Sequence, residues 1–244
     1  RVTLLGYGLN GEALERHLQE AKEQMGSGLA ALETRTSTLS PHEAVSQEVE
    51  RQPYDLVIMG LGAAGSVALA GSILQSGEHH LLLVPCSQPV PTRALICVAS
   101  GEPGKEDVLF TGRLVRHLGA EAKLLSVLSE GEDTPETQER VHRFLASGVQ
   151  SLELLGVAAK KTVRVGRARD EILSEMQAGQ HDLLVLGAPL PDIDGKIVLD
   201  GLVGQFVRTT NNCPILIVRS SPRGKASVLG NPMPGRVKAR KEIV

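Results

Sequence analysis

The chain has 244 residues, 41% of them hydrophobic and 22% charged, with a net charge of −2, the profile of an ordinary globular protein with ample core. Seven basic residues against one acidic lie from Arg219 onward, leaving 19 basic against 27 acidic in the rest. That acidic body, with no Trp, two Tyr and three Phe, excludes nucleic acid as a partner, because it offers neither a phosphate footprint nor a stacking platform.

No apolar run has the length of a membrane span, and no signal peptide is visible. Cys86, Cys97 and Cys213 are isolated and read as reduced thiols of a cytoplasmic protein, not as a disulfide framework or a zinc site.

In chain order, Val2–Leu5 is a strand candidate, and Leu14, Leu18, Ala21 and Met25 recur at helical spacing. Leu29–Leu39 reads as a second strand, and Ser40-Pro41 with Glu43 opens a helix that ends near Pro53. Leu56–Met59 is a short apolar run of the kind buried on both faces of a parallel sheet. A glycine- and alanine-rich loop follows, and Gly71-Ser72 leads into a helix. His80–Pro85 is another buried strand, and 85–91 a proline-rich linker.

A second set starts with strand 93–99 and a helix near 106–118, then strand Lys123–Leu128. Glu130–Glu139 reads as an acidic turn, and Val141, Leu145, Val149, Leu152 and Leu155 mark a long helix. Strand Ala158–Val165, a helix around Ile172 and Met176, and strand Leu183–Leu186 continue the alternation. Loop 187–204, a helix through Phe206 and strand Ile215–Val218 close it. Alternating β and α elements imply parallel sheets with right-handed crossovers and helices on both faces.

The two sets repeat. Asp55-Leu-Val-Ile-Met-Gly60 recurs 127 positions later as Asp182-Leu-Leu-Val-Leu-Gly187, and Leu81–Val84 recurs 134 positions later as Ile215–Val218. The first set has no counterpart of strand 93–99 and its helix. Either residues upstream are missing or the first unit borrows a strand, and truncation is the preferred expectation because an incomplete sheet leaves edges unsatisfied.

A strand, a small-residue turn and a helix start make an anion site, since free N–H groups and the helix dipole converge there. Candidate phosphate contacts in the first set are Gly60, at the end of the apolar run, and Gly71 and Ser72 at the helix start. His79-His80 point to opposite faces of a strand and read as structural. Asp192, Asp194 and Asp200 read as a solvated acidic loop, the alternative being a hard-cation site. No nucleophile–base pair supports hydrolase chemistry, and the tail from 221 to 244 reads as a basic, solvating extension.

The segments ALICVAS, RHLGAEAKLLSV, GVAAKKTVRVGRARDEIL, HDLLVLG and NNCPILIV, with SPHEAV, YDLVIMG and HHLLLVPCS in the first half, resemble the universal stress protein family over about residues 1–220. The resemblance implies an α/β fold of tandem doubly wound parallel five-stranded sheets, of the adenine-nucleotide α-hydrolase-like kind, with units at 1–88 (incomplete) and 93–220. It further implies a cytoplasmic regulatory module without robust catalysis, a homodimer or intramolecular pairing of the two copies, and ATP or another adenine nucleotide, with Mg, as ligand. One branch of the family binds ATP through G-x2-G-x9-G-[ST]. Here Ala63 replaces a motif glycine and the Gly60-to-Gly71 spacing is two short, while Leu190 and Gln205 break the second copy. The resemblance therefore implies a first site at Gly60, Gly62, Gly71 and Ser72, and a degenerate second one at Gly187 and Gly204. Two alternatives are the cytosolic regulatory end of a membrane transporter and, ranked last, a phosphate-handling enzyme.

Overall fold

A computed structural model describes residues 1–7, 11–25, 31–61, 67–85, 89–99, 105–209 and 212–219. Its elements are β1 (Val2–Tyr7), α1 (Gly11–Met25), β2 (Leu32–Ser37), α2 (Pro41–Arg51), β3 (Leu56–Leu61), α3 (Val67–Gln75) and β4 (His80–Pro85). Then come β5 (Arg93–Cys97), α4 (Lys105–Leu118), β6 (Glu121–Leu128), α5 (Pro135–Leu154), β7 (Ala159–Val165), α6 (Ala168–Ala178), β8 (Leu183–Gly187), α7 (Leu202–Thr209) and β9 (Ile215–Val218).

The alternation is α/β as expected. One seven-stranded sheet runs β3-β4-β9-β8-β5-β6-β7, and β1-β2 form a separate pair. The five strands β5 to β9 make a parallel unit in the spatial order β7-β6-β5-β8-β9. Three of its four β–α–β connections return the chain to an adjacent parallel strand, and β7–α6–β8 passes over β6 and β5; parallel connections require the crossover helices to lie on the sheet faces.

The repeat extends to strand register. Val57↔Leu81, Ile58↔Leu82 and Met59↔Leu83 in β3–β4 recur as Leu184↔Ile215, Val185↔Leu216 and Leu186↔Ile217 in β8–β9. The two pairs of strands then meet antiparallel, β4 against β9, through Leu81↔Ile217, Leu82↔Leu216 and Leu83↔Ile215. Leu82 and Leu216 are counterparts, so the seam is symmetric about that pair. Leu81, Leu83 and Ile215–Ile217 are fully buried, which explains why these strands read as continuous apolar runs.

One buried cluster covers the face that carries α3, α6 and α7, with Phe206, Ile73, Leu74 and Ile172 at its centre. A second covers the face of α4 and α5, with Val115, Leu124, Leu145 and Leu152. α2 starts as read: the Glu43 carboxylate accepts from the Ser40 N–H at 3.1 Å, satisfying one of the free donors at a helix start. The acidic turn at Glu130–Glu139 is only half right. α5 begins inside it, with Thr134 accepting from the Thr137 N–H at 3.2 Å and Pro135 in the first turn, a cap signal outweighed in the reading by the density of acids.

The seam carries a pH-sensitive contact. The His80 ring lies 3.8 Å from Phe110 of α4, centroid to centroid, and its Nδ1 accepts from the Arg219 N–H at 3.0 Å. Burial lowers the His80 pKa to about 4 and also lowers that of His79. The folded state therefore holds His80 neutral while the unfolded chain takes up a proton near the ordinary pKa of about 6.5. Stability contributed by neutral His80 is complete above that value and falls as pH drops from about 6.5 towards about 4. Denaturant midpoints measured across this range are expected to decline less steeply in His80→Gln. An unchanged slope in the variant would contradict the assignment.

Candidate functional site

Of the six glycine-loop residues read from sequence, Gly62 lies outside the described residues. Gly60 is the penultimate residue of β3 and Gly187 closes β8, and at both a Cβ would meet nothing within 4 Å. Sterically, neither position demands glycine.

Gly71 and Ser72 do not open a helix. α3 starts at Val67, which puts both residues beyond the first four N–H groups, the only ones a helix leaves free for an anion. The Ser72 hydroxyl donates to the Ala68 carbonyl at 2.9 Å, one turn back. Gly71 is buried beneath the loop between β8 and α7: a Cβ there would lie 3.6 Å from the Ile197 carbonyl oxygen and 3.8 Å from Leu199 Cγ.

That loop, 188–201, docks across the seam. Gln75 of α3 donates to the Gly195 carbonyl at 2.9 Å and accepts from the Ile197 N–H at 2.7 Å. Ile197 and Leu199 enter the core at 6% and 3% exposure. The loop's tip is tied by Asp192, whose Oδ1 accepts from the N–H groups of Asp194 (2.9 Å) and Lys196 (2.7 Å), while Gly195 takes a φ of +77°, which glycine tolerates best. Asp192 is therefore a turn residue. Among the described residues no group of three or more His, Cys, Asp or Glu is placed to hold a metal.

Gly204 sits in α7 with its Cα under the Leu199 carbonyl, and a Cβ would overlap that oxygen. Unlike Gly187, Gly204 thus serves loop packing. Beside it, a cavity of about 300 Å³ is lined by Arg169 of α6 and Gln205, Arg208 and Thr209 of α7. Neither Arg169 nor Arg208 forms a salt bridge among the described residues; Arg208 Nη2 donates to the Leu199 carbonyl at 3.5 Å. Two guanidinium groups, an amide and a hydroxyl around one cavity are the donor set for an oxyanion. Sequence reading passed over both arginines because it looked for glycines. Arg208, one turn beyond Gly204 on a short helix, was the available signal, and nothing local marked Arg169 of α6.

The buried ionisable groups have structural duties. Glu175 of α6 is 2% exposed and accepts from Lys123 Nζ at 2.5 Å and from Arg164 at 2.6 and 2.9 Å. Burial raises its pKa, but these two cations outweigh that and leave it lowered. Its counterpart Glu48, 6% exposed, accepts from the Tyr54 hydroxyl at 2.7 Å and faces Arg35 Nε at 3.2 Å. Burial pushes the Cys97 thiol up and Cys213 to about 11, so both stay protonated and unreactive near neutrality.

Comparisons with solved structures agree with this architecture. A universal stress protein from Archaeoglobus fulgidus superposes with a TM-score of 0.61 at 13% identity, covering 86% of this chain and 77% of that one. A protein described as a universal stress protein from Pseudomonas aeruginosa gives 0.63 at 16% identity, covering 89% and 82%. A functionally unknown protein from the same organism gives 0.62 at 14%, covering 89% and 82%. No family model and no curated protein matches the sequence. The fold is the universal stress protein fold; at these identities the likeness concerns the fold alone. No helix among the described residues is long and apolar enough to cross a membrane.

Proposed function

We propose that this chain is a cytoplasmic regulatory module of the universal stress type that binds an adenine nucleotide without turning it over. The carrying observation is the cavity formed by Arg169, Gln205, Arg208 and Thr209, whose guanidinium groups have no carboxylate partner among the described residues. The sequence resemblance supplies the adenine nucleotide; the arginines supply the reason a phosphate would stay. A fork of N–H donors binds a phosphate oxygen pair with charge assistance. The phosphate contact accordingly moves from Gly71 and Ser72 of the first half to Arg169 and Arg208 of the second.

Binding without catalysis is supported by what the reactive groups already do. The Ser72 hydroxyl is committed to Ala68, the Cys213 thiol is held protonated, and the Asp192 carboxylate is engaged by its own loop. Calorimetric titration with AMP tests the reading. Arg169→Gln combined with Arg208→Gln is expected to weaken AMP at least tenfold, the loss of about 1.4 kcal/mol or more, while Ser72→Ala leaves it unchanged. Loss in Ser72→Ala with retention in the arginine variant would reverse the assignment and return the site to the first half.

A further inference from the structure

We infer that Gln75 of α3 is a positioning residue for Arg208 of α7, so that the first half of the chain sets the geometry of the phosphate cavity in the second. This rests on the adenine-nucleotide reading and extends its site across the seam.

The contacts begin at Arg208. Among the described residues no carboxylate holds its guanidinium in a salt bridge. The side chain folds back one turn along α7 instead. Its Nη2 donates to the Leu199 carbonyl at 3.5 Å and lies 3.1 Å from the place a Cβ on Gly204 would take. An arginine gives up much rotamer freedom when it is fixed. A guanidinium already held at the cavity wall spares the ligand that cost. The Leu199 carbonyl therefore decides where the guanidinium stands before a phosphate arrives.

That carbonyl is placed from the other half. Gly71 and Gln75 lie one turn apart on α3, hence on one face. The absence of a side chain at Gly71 lets this face come close to loop 188–201: a Cβ there would be 3.6 Å from the Ile197 carbonyl oxygen and 3.8 Å from Leu199 Cγ. Gln75 then grips the loop with both ends of its amide. Nε2 donates to the Gly195 carbonyl at 2.9 Å, and Oε1 accepts from the Ile197 N–H at 2.7 Å.

Ile197 and Leu199 also anchor the loop by burial, at 6% and 3% exposure. Apolar contacts are non-directional. A donor and an acceptor in one rigid plane fix the orientation of the peptide groups they bond. Burial keeps the loop down on α3; Gln75 sets the path of the backbone that leads, two residues on, to the Leu199 carbonyl.

Two measurements on the full chain test this, one with ligand and one without. In the nucleotide-free protein, modification of arginines by phenylglyoxal is followed residue by residue by mass spectrometry. Gln75→Ala is expected to speed modification of Arg208 about threefold or more and to leave Arg169 unchanged. Gln75 is an exposed helix residue, so the variant should fold. In calorimetric titration, Gln75→Ala is expected to weaken AMP about threefold or more, yet to change nothing further in an Arg208→Gln background, because one contact acts through the other. Adenosine should bind all variants alike, whereas a purely structural role would weaken AMP and adenosine together. Unchanged modification of Arg208, or the same loss of AMP affinity in both backgrounds, would overturn the proposal. A chain that binds no AMP but shows the faster modification of Arg208 would overturn the nucleotide reading and uphold the positioning by Gln75.

Discussion

Glu175→Ala is expected to destabilise the chain by about 3 kcal/mol, read as a fall in melting temperature of roughly 6–12 °C. The carboxylate is 2% exposed and joins α6 to two neighbouring strands through Lys123 of β6 and Arg164 of β7. Removing it leaves two cations against an apolar face, the costly way of breaking a buried pair. Both cations keep about a third of their side-chain surface in solvent, at 28% and 32%, and Arg164 retains Glu171 at 3.4 Å, so the lower end of the usual range applies. Glu175→Gln should lose less, because an amide oxygen still accepts one hydrogen bond. A loss below about 1 kcal/mol for Glu175→Ala would place this cluster among surface pairs of little consequence.

The second large effect is expected at Gly204. A Cβ there would overlap the Leu199 carbonyl oxygen, a backbone atom that cannot swing aside. The loop is fixed on both flanks, by Gln75 holding Gly195 and Ile197 and by Leu199 itself, 3% exposed in the core. Overpacking of this kind costs about 1–3 kcal/mol or more, offset by at most about 1 kcal/mol of helix propensity gained by alanine. Gly204→Ala should therefore be destabilising in chemical unfolding. Gly60→Ala and Gly187→Ala, where a Cβ meets nothing within 4 Å, should stay within about 0.5 kcal/mol of the parent. The contrast separates glycines that pack a loop from glycines merely present at strand ends. Equal stability of all three variants would contradict the packing account.

Most of the fold was legible in the sequence because its two periodicities are strong. Runs such as Leu183–Leu186 and Ile215–Val218 belong to strands buried on both faces, and the spacing of Leu145, Val149 and Leu152 belongs to a helix with one buried side. The matched segments Leu56–Met59 with Leu183–Leu186 and Leu81–Val84 with Ile215–Val218 were legible too, whereas the shared pairing register of β3–β4 and β8–β9 is seen only in the structure. The site was less so. Gly71-Ser72 resembles a helix-start motif, but the apolar residues around it, Ala70, Ile73 and Leu74, all at or below 1% exposure, draw the whole segment into α3 and bury the glycine. That outcome depends on loop 188–201, more than 100 residues away, and no local pattern near residue 71 reports it. Glu48 and Glu175 were readable after the fact: they lie 127 positions apart, as do Tyr54 and His181 beside them. Buried carboxylates were missed because charged residues are ordinarily assigned to the surface.

The most direct test of the functional account is calorimetric titration of the full chain with AMP beside adenosine. If the Arg169–Arg208 cavity holds the phosphate, AMP binds saturably at one site per chain and adenosine at least tenfold more weakly, since only the nucleotide engages the guanidinium groups. Equal affinities for the two ligands, or no binding of AMP at all, would contradict it.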